Sequence, residues 1–274
     1  MKIRICSVFL ALILLISPTI ACGNNASIQA ENDRLAAEQA ASEQASRDKA
    51  DAEQAEADRL AAEQAAKEQA EADRIAAEKA AAEKRSQEAF DNAKIAYEAL
   101  CEAAEITNSV MSSVYGAWYF GIYKAKDSTT ATVLTNLAKE VRLTKSELSA
   151  GLTAVAKEFS MSESTILWAM VTTNKDISNY VFCLDVVDFA YKINGTYDEI
   201  QKNIDAANAV LKKMTAEFDD YKHYPTLKEF YSKVLSYAEF AQSPTGSFQQ
   251  LSPTKAEYEN SIRTYRIDLS FVFE

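Results

Sequence analysis

The chain has 274 residues, 48% hydrophobic, 25% charged and 10% aromatic, with a formal charge of −11. An acidic balance makes nucleic acid and anionic lipid head groups poor partners. One His, six Gly and four Cys leave little material for metal sites or tight catalytic turns, and no G-x-S-x-G, phosphate-loop or H-E-x-x-H pattern occurs.

Residues 1–21, MKIRICSVFLALILLISPTIA, read as a secretory leader. Lys2 and Arg4 charge its start and Val8–Ile16 form its apolar centre. Thr19-Ile20-Ala21-Cys22 resembles the bacterial lipobox, with Thr19 where Leu is usual. The resemblance implies that Cys22 is lipidated and becomes the new N-terminus. Two or more acyl chains anchor stably where one is marginal. The expected location is the outer face of a bacterial membrane, at the cell surface or in a periplasm. Residues 22–30 form a short polar linker.

Residues 31–88 contain no Gly and no Pro and consist mostly of Ala, Glu, Gln, Lys and Arg, the strongest helix formers. Three near-copies recur: Asn32–Ala41, Ala57–Ala66 and Ala72–Ala81. Each centres on an acid–base–acid ladder, Glu31–Arg34–Glu38, Glu56–Arg59–Glu63 and Glu71–Arg74–Glu78, with a step of three residues and then of four. The run is expected to be one helical stalk of about 90 Å. Leu35, Leu60 and Ile75 fall within about 60° of one another on a straight helix but drift on a strict seven-residue repeat. That favours a monomeric stalk over a coiled coil, although Ala-faced pairing stays open. The composition also resembles Tol-type envelope stalks.

Residues 89–274 hold all 13 Tyr and both Trp, and are long enough for one domain with its own core. No period-2 alternation stands out, so the fold class is all-α, a multi-helix bundle behind a long N-terminal helix. Helix starts of the form S/T-x-x-E occur at Thr144, Ser160, Thr196, Thr226 and Thr254. The stalk helix is expected to continue to about residue 126. Helices then follow at about 128–142, 145–159, 163–173, 175–193, 197–222, 226–242 and 254–272. Ile200, Ile204, Ala207, Leu211, Met214, Phe218 and Tyr221 form a 4-3 bundle seam. Ile106–Tyr123 carries no charge for 18 residues, and its Ser, Thr and Asn make it a central bundle helix rather than a membrane span.

Cys6 leaves with the leader and Cys22 carries lipid, so Cys101 and Cys183 remain. In an exported domain they form either a disulfide or two buried thiols, and the sequence leaves both open. Asp185 and Asp188 lie i, i+3, but Asp188–Lys192 also makes a plain helix ion pair on a solvated face. His223 sits in an inter-helix turn. Val155–Trp168 resembles the helix-turn-helix of bacterial repressors, with Ser160 at the turn Gly. Its second helix has no Lys or Arg from Ser162 to Asn174, which argues against DNA. Pro244-Thr245-Gly246-Ser247 lies in a stretch, Tyr231–Phe273, that resembles the C-terminal part of uncharacterised helical lipoproteins of Gram-positive bacteria, where such a turn joins the last two helices. That resemblance implies no activity.

The expected function is therefore that of a cell-envelope lipoprotein. It would hold a binding or scaffold module away from the membrane, with a protein, glycan or cell-wall ligand, no cofactor, no metal and no enzymatic activity. A structural or self-associating spacer is the alternative, followed by an envelope enzyme without a familiar signature.

Overall fold

The computed structural model describes residues 25–172 and 179–274. The leader and Cys22 lie outside the described residues. Among those described the chain is all-α. One helix, α1 (Asn25–Tyr119), is followed by a π-helical turn (Phe120–Lys124) and a 3-10 turn (Ala125–Asp127). Then come α2 (Val133–Leu137), α3 (Lys145–Glu158), α4 (Glu163–Val171), α5 (Asn179–Ile193), α6 (Thr196–Glu217), α7 (Tyr224–Gln242) and α8 (Phe248–Phe273). The described residues divide into two units, 25–78 and 79–274.

In the first unit every residue from Ile28 on is exposed. Its helix is held by local side-chain pairs. Arg74 bridges Glu71 at 2.6 Å and Glu78 at 2.9 Å, and Lys67 meets Glu63 at 2.8 Å. Arg34 reaches Glu38 at 3.6 Å and Arg59 reaches Glu56 at 3.9 Å. A second ladder lies between the ion pairs: Gln44, Gln54 and Gln69 each donate to an Asp four residues on, at 2.7–2.8 Å. Neutral and charged rungs together follow the i, i+4 geometry that Ala leaves unobstructed.

The second unit recruits α1 from Arg85 onwards. The Arg85 guanidinium forks onto Asp220 at 2.8 and 2.9 Å, donates to the Glu217 carbonyl at 2.8 Å and lies 5.7 Å from the Phe218 ring centre. The first buried side chain of α1 is Ala89. Ala93, Ala96, Leu100, Val110, Met111 and Ala117 then enter the core. The uncharged stretch 106–123 forms the end of α1 and most of the π-helical turn: Val110, Val114 and Trp118 on α1 are buried, while Ile122 and Tyr123 in the turn are exposed. Helix α5 packs on α3, α4, α6 and the π-helical turn, and α7 lies between α6 and α8. Two glycines permit the closest approaches. A Cβ on Gly151 would lie 2.2 Å from the Val186 carbonyl oxygen, and one on Gly116 2.0 Å from the Glu140 carbonyl oxygen. Ser113 is fully buried, but its hydroxyl meets Tyr191 Oη at 2.7 Å and accepts the Arg142 N–H at 2.8 Å.

Several boundaries differ from the sequence reading. The expected polar linker 22–30 is already helical from Asn25, so α1 starts before the charged run. The helix expected at 128–142 is only Val133–Leu137, set between turns. Thr129, Thr130, Thr132, Val133 and Thr135 are β-branched and poor helix formers, and Thr132 turns its hydroxyl back to the Thr129 N–H at 2.9 Å. Helix α6 stops at Glu217 rather than 222; Phe218, at φ −141°, continues the seam from the turn and stays buried. Helix α8 begins at Phe248, not 254. There the Ser247 N–H donates to Gln250 Oε1 at 2.9 Å, half of a capping box, and the early start leaves Pro253 inside the helix.

Candidate functional site

Helix α8 runs antiparallel to the bundle part of α1. The Tyr97 and Phe273 rings are 5.2 Å apart, Arg266 bridges Glu105 at 2.8 Å, and Tyr115 stacks on Phe248 at 5.1 Å. Between these contacts the two helices leave a furrow. Its larger section is a cavity of about 460 Å³ whose floor includes Ala104, Tyr237 and Ile262. A second section of about 220 Å³, lined by Ser112, Tyr115, Ser252 and Lys255, shares Glu259 with the first.

Each wall is a helical stripe. On α8, Lys255, Glu259, Arg263, Arg266, Ser270 and Glu274 recur at steps of three or four. They lie beside the apolar stripe Tyr258, Ile262, Tyr265, Leu269 and Val272 that faces the core. On α1, Tyr97, Ala104, Asn108, Ser112, Tyr115 and Tyr119 share one face in the same way. The polar groups are fixed. Tyr97 Oη donates to Glu274 Oε1 at 3.0 Å, and Tyr237, itself buried, donates to Asn108 Oδ1 at 3.3 Å. Arg263 donates to Asn260 Oδ1 at 3.2 Å and Lys255 meets Glu259 at 2.5 Å. Burial, then the nearby Cys101 and Glu274, push the Tyr97 hydroxyl above the usual phenol range. Burial, then Glu259, do the same for Tyr237. Both phenols stay protonated near neutral pH, so they act as hydrogen-bonding groups rather than bases.

Beyond Tyr115 the furrow meets an aromatic cluster. Phe248 lies 6.1 Å from Trp118, 6.4 Å from Tyr119 and 6.0 Å from Tyr123. Lys124 lies 5.2 Å from the Tyr119 ring centre and pairs with Glu140 at 2.6 Å. On the other side of α1, a cavity of about 450 Å³ includes Glu105, Arg142, Glu147, Tyr191 and Asn194.

The residues singled out in the sequence fall elsewhere. Cys22 lies outside the described residues. Cys101 and Cys183 stand apart as free thiols in different surroundings, one half-buried and one buried. Cys183 is fully buried on α5, and burial then Asp185 raise its thiol. Cys101 is half-buried on α1; burial raises it too, opposed by the Tyr97 hydroxyl and Arg266. Asp188 pairs with Lys192 at 2.6 Å as the spacing predicts, and also accepts the Tyr197 hydroxyl at 3.0 Å. Asp185 is half-buried rather than solvated, and desolvation, with Asp188 next, raises its carboxyl. His223 precedes α7 without capping it, and desolvation, then Lys222, lower its imidazole. Ser160 adopts φ +51°, the left-handed turn for which repressor motifs use Gly. Trp168 on α4 is half-exposed.

The furrow has no signature in the helix periodicity, which reports the apolar stripe of α8 and not the polar one. The polar stripe beside it, of mixed charge and spaced like the core stripe, is the available signal. Comparison with family models, curated proteins and solved structures finds no match.

Proposed function

We propose that this chain is a cell-envelope lipoprotein, anchored through Cys22 at the outer face of a bacterial membrane, whose bundle is a binding module. The observation that carries the reading is the change of character along α1. The helix is wholly exposed up to Glu88 and becomes the bundle's own core helix from Ala89 on. A solvated helix with no packing face serves as a spacer, and the domain continuous with it contains a furrow of ordered polar side chains with no recognisable catalytic constellation. Nucleic acid is a poor partner for so acidic a chain.

The test is binding of the purified full chain to isolated bacterial envelopes, beside a chain truncated after Glu88. Saturable binding by the full chain alone supports the reading; equal binding by the truncated chain overturns it. For the anchor, a fatty-acid analogue should label the wild-type chain and not Cys22→Ala. Label retained by that variant removes the lipid attachment.

A further inference from the structure

We propose that the furrow between α1 and α8 binds a neutral oligosaccharide chain. This rests on the reading of the bundle as a binding module and specifies its ligand.

The shape favours a chain. From Tyr97 to Tyr119 the α1 wall extends about 33 Å at helical rise. The two cavity sections meet at Glu259 and lead on to the Phe248 cluster, so the site is long and shallow rather than a closed pocket. A compact small molecule would leave most of it empty.

The charge favours a neutral ligand. Glu105, Glu259 and Glu274 face Lys255, Arg263 and Arg266, three side-chain charges against three. Two pairs are already closed, Arg266 with Glu105 and Lys255 with Glu259. A polyanion would need a surplus of cations to replace its counterions, and a polycation the reverse. A sugar hydroxyl both donates and accepts. A wall of guanidinium donors beside carboxylate acceptors, interspersed with Ser112, Ser252, Ser270 and Asn108, meets both needs without burying an unpaired charge.

The aromatic end supplies what a sugar ring requires besides hydrogen bonds. Tyr115 and Tyr119 on α1 and Tyr123 in the π-helical turn that follows recur every four residues, and Tyr123 is half-exposed beside Phe248. Ring faces of this kind pack against the C–H faces of pyranoses while a phenol hydroxyl stays wet. An extended peptide fits less well. Helix walls offer no free backbone edge for strand addition, and Ala104, Ile262 and Ile267 do not make the row of apolar pockets that a peptide helix uses.

The experiment is isothermal titration of the full chain in detergent with chitohexaose, cellohexaose and maltohexaose, and with the matching disaccharides. Two variants accompany it. Arg263→Ala removes a side chain bonded only to Asn260 among the described residues, and Ala256→Trp fills the smaller section at an exposed position. Thermal melts by circular dichroism establish that both fold. At least one hexasaccharide should bind, more tightly than its disaccharide. Both variants should weaken it about tenfold or more, as loss of a charge-assisted hydrogen bond or of furrow space requires. No binding by any hexasaccharide, or binding unchanged in both variants, overturns the proposal. Saturable binding to envelopes that protease treatment of the envelopes abolishes also overturns it, and leaves the binding-module reading standing. Absence of envelope binding takes both down together.

Discussion

The two halves of α1 solve the same problem with opposite means. Between Ile28 and Glu78 the hydrogen bonds and ion pairs among side chains span three or four residues, as in Arg74 with Glu71 and Glu78, or Gln54 with Asp58. Between Arg85 and Tyr119 the decisive contacts are distant in sequence: Arg85 with Asp220, Tyr97 with Glu274, Ser113 with Tyr191. The first half is held by propensity and by many weak rungs, the second by burial against other helices. Ala serves both, for different reasons. In the exposed half it is the residue that loses least on becoming helical. In the bundle half Ala93, Ala96 and Ala103 are buried and let neighbouring helices approach. A helix can therefore change from self-supporting to packed without changing its backbone, and side-chain size beside the Ala marks where.

The widest gap between the halves should be in solvent access. Cys183 is fully buried on α5, whereas a cysteine placed on the exposed half, Ala61→Cys, faces water. In the Cys22→Ser background a thiol reagent should modify the introduced residue about a thousandfold or more faster than Cys183, which must await unfolding of the bundle. Cys101, half-buried, should fall between. Comparable rates would mean that the bundle core is open. In denaturant without reductant, Cys101 and Cys183 should both react in full; failure of both to react would mean that they are joined.

Energetics should divide the same way. Phe230→Ala deletes a fully buried ring packed near Tyr97 and Tyr265 and should cost about 3–5 kcal/mol in urea unfolding of the bundle. Leu60→Ala removes an exposed side chain and should change helix stability by less than about 0.5 kcal/mol. A large loss at Leu60 would mean that the exposed half has a partner in solution.

The contrast explains what was legible. The exposed half is determined locally, so its composition identifies the helix; of the three acid–base–acid ladders, Glu71–Arg74–Glu78 closes on both sides, whereas Arg34 and Arg59 each pair with one carboxylate. In the bundle, the seam Ile200–Phe218 was legible because burial enforces its period. Capping was not. Of five S/T-x-x-E sequences, only Thr144–Glu147 forms the reciprocal box. Ser162, not Ser160, starts α4, and Gly195 and His223 precede α6 and α7 without side-chain caps. Four-residue patterns recur by chance in a polar helical sequence, and tertiary contacts decide which are used. Ser247–Gln250 falls outside the S/T-x-x-E pattern because Gln stands in place of Glu. The furrow escaped for the same reason: whether two polar stripes face each other or water is a property of the packed helices.

Helix α8 offers a test in the opposite direction. Pro253 lies inside it and exposed, where it removes a backbone donor and crowds the preceding turn. Its presence there follows from the Ser247 cap and from Phe248 reaching the aromatic cluster. Pro253→Ala should therefore stabilise the bundle, by up to about 3 kcal/mol, and raise its melting temperature. A drop would mean that the proline sets a bend which the α1–α8 contacts need.

A smaller effect within the bundle concerns the Thr144–Glu147 box that starts α3. Thr144 accepts the Glu147 N–H at 3.2 Å, and Glu147 Oε2 accepts the Thr144 N–H at 2.8 Å. Glu147 Oε1 also accepts from Asn194 at 3.0 Å. The Thr144 backbone bond, then Asn194, hold the Glu147 carboxyl below the usual carboxylate range. A carboxyl depressed in the folded state contributes stability that is present above its unfolded value and lost as pH falls through its lower folded value. Thr144→Ala should cost about 1 kcal/mol at neutral pH. Glu147→Gln, which retains hydrogen-bonding capacity but not the charge, should lower stability at neutral pH and converge with wild type as pH falls below the ordinary carboxylate range. A difference constant across that window would show that the bonds to Glu147 do not depend on its charge. The same titration on Leu60→Ala should show no such convergence, because that side chain neither titrates nor packs.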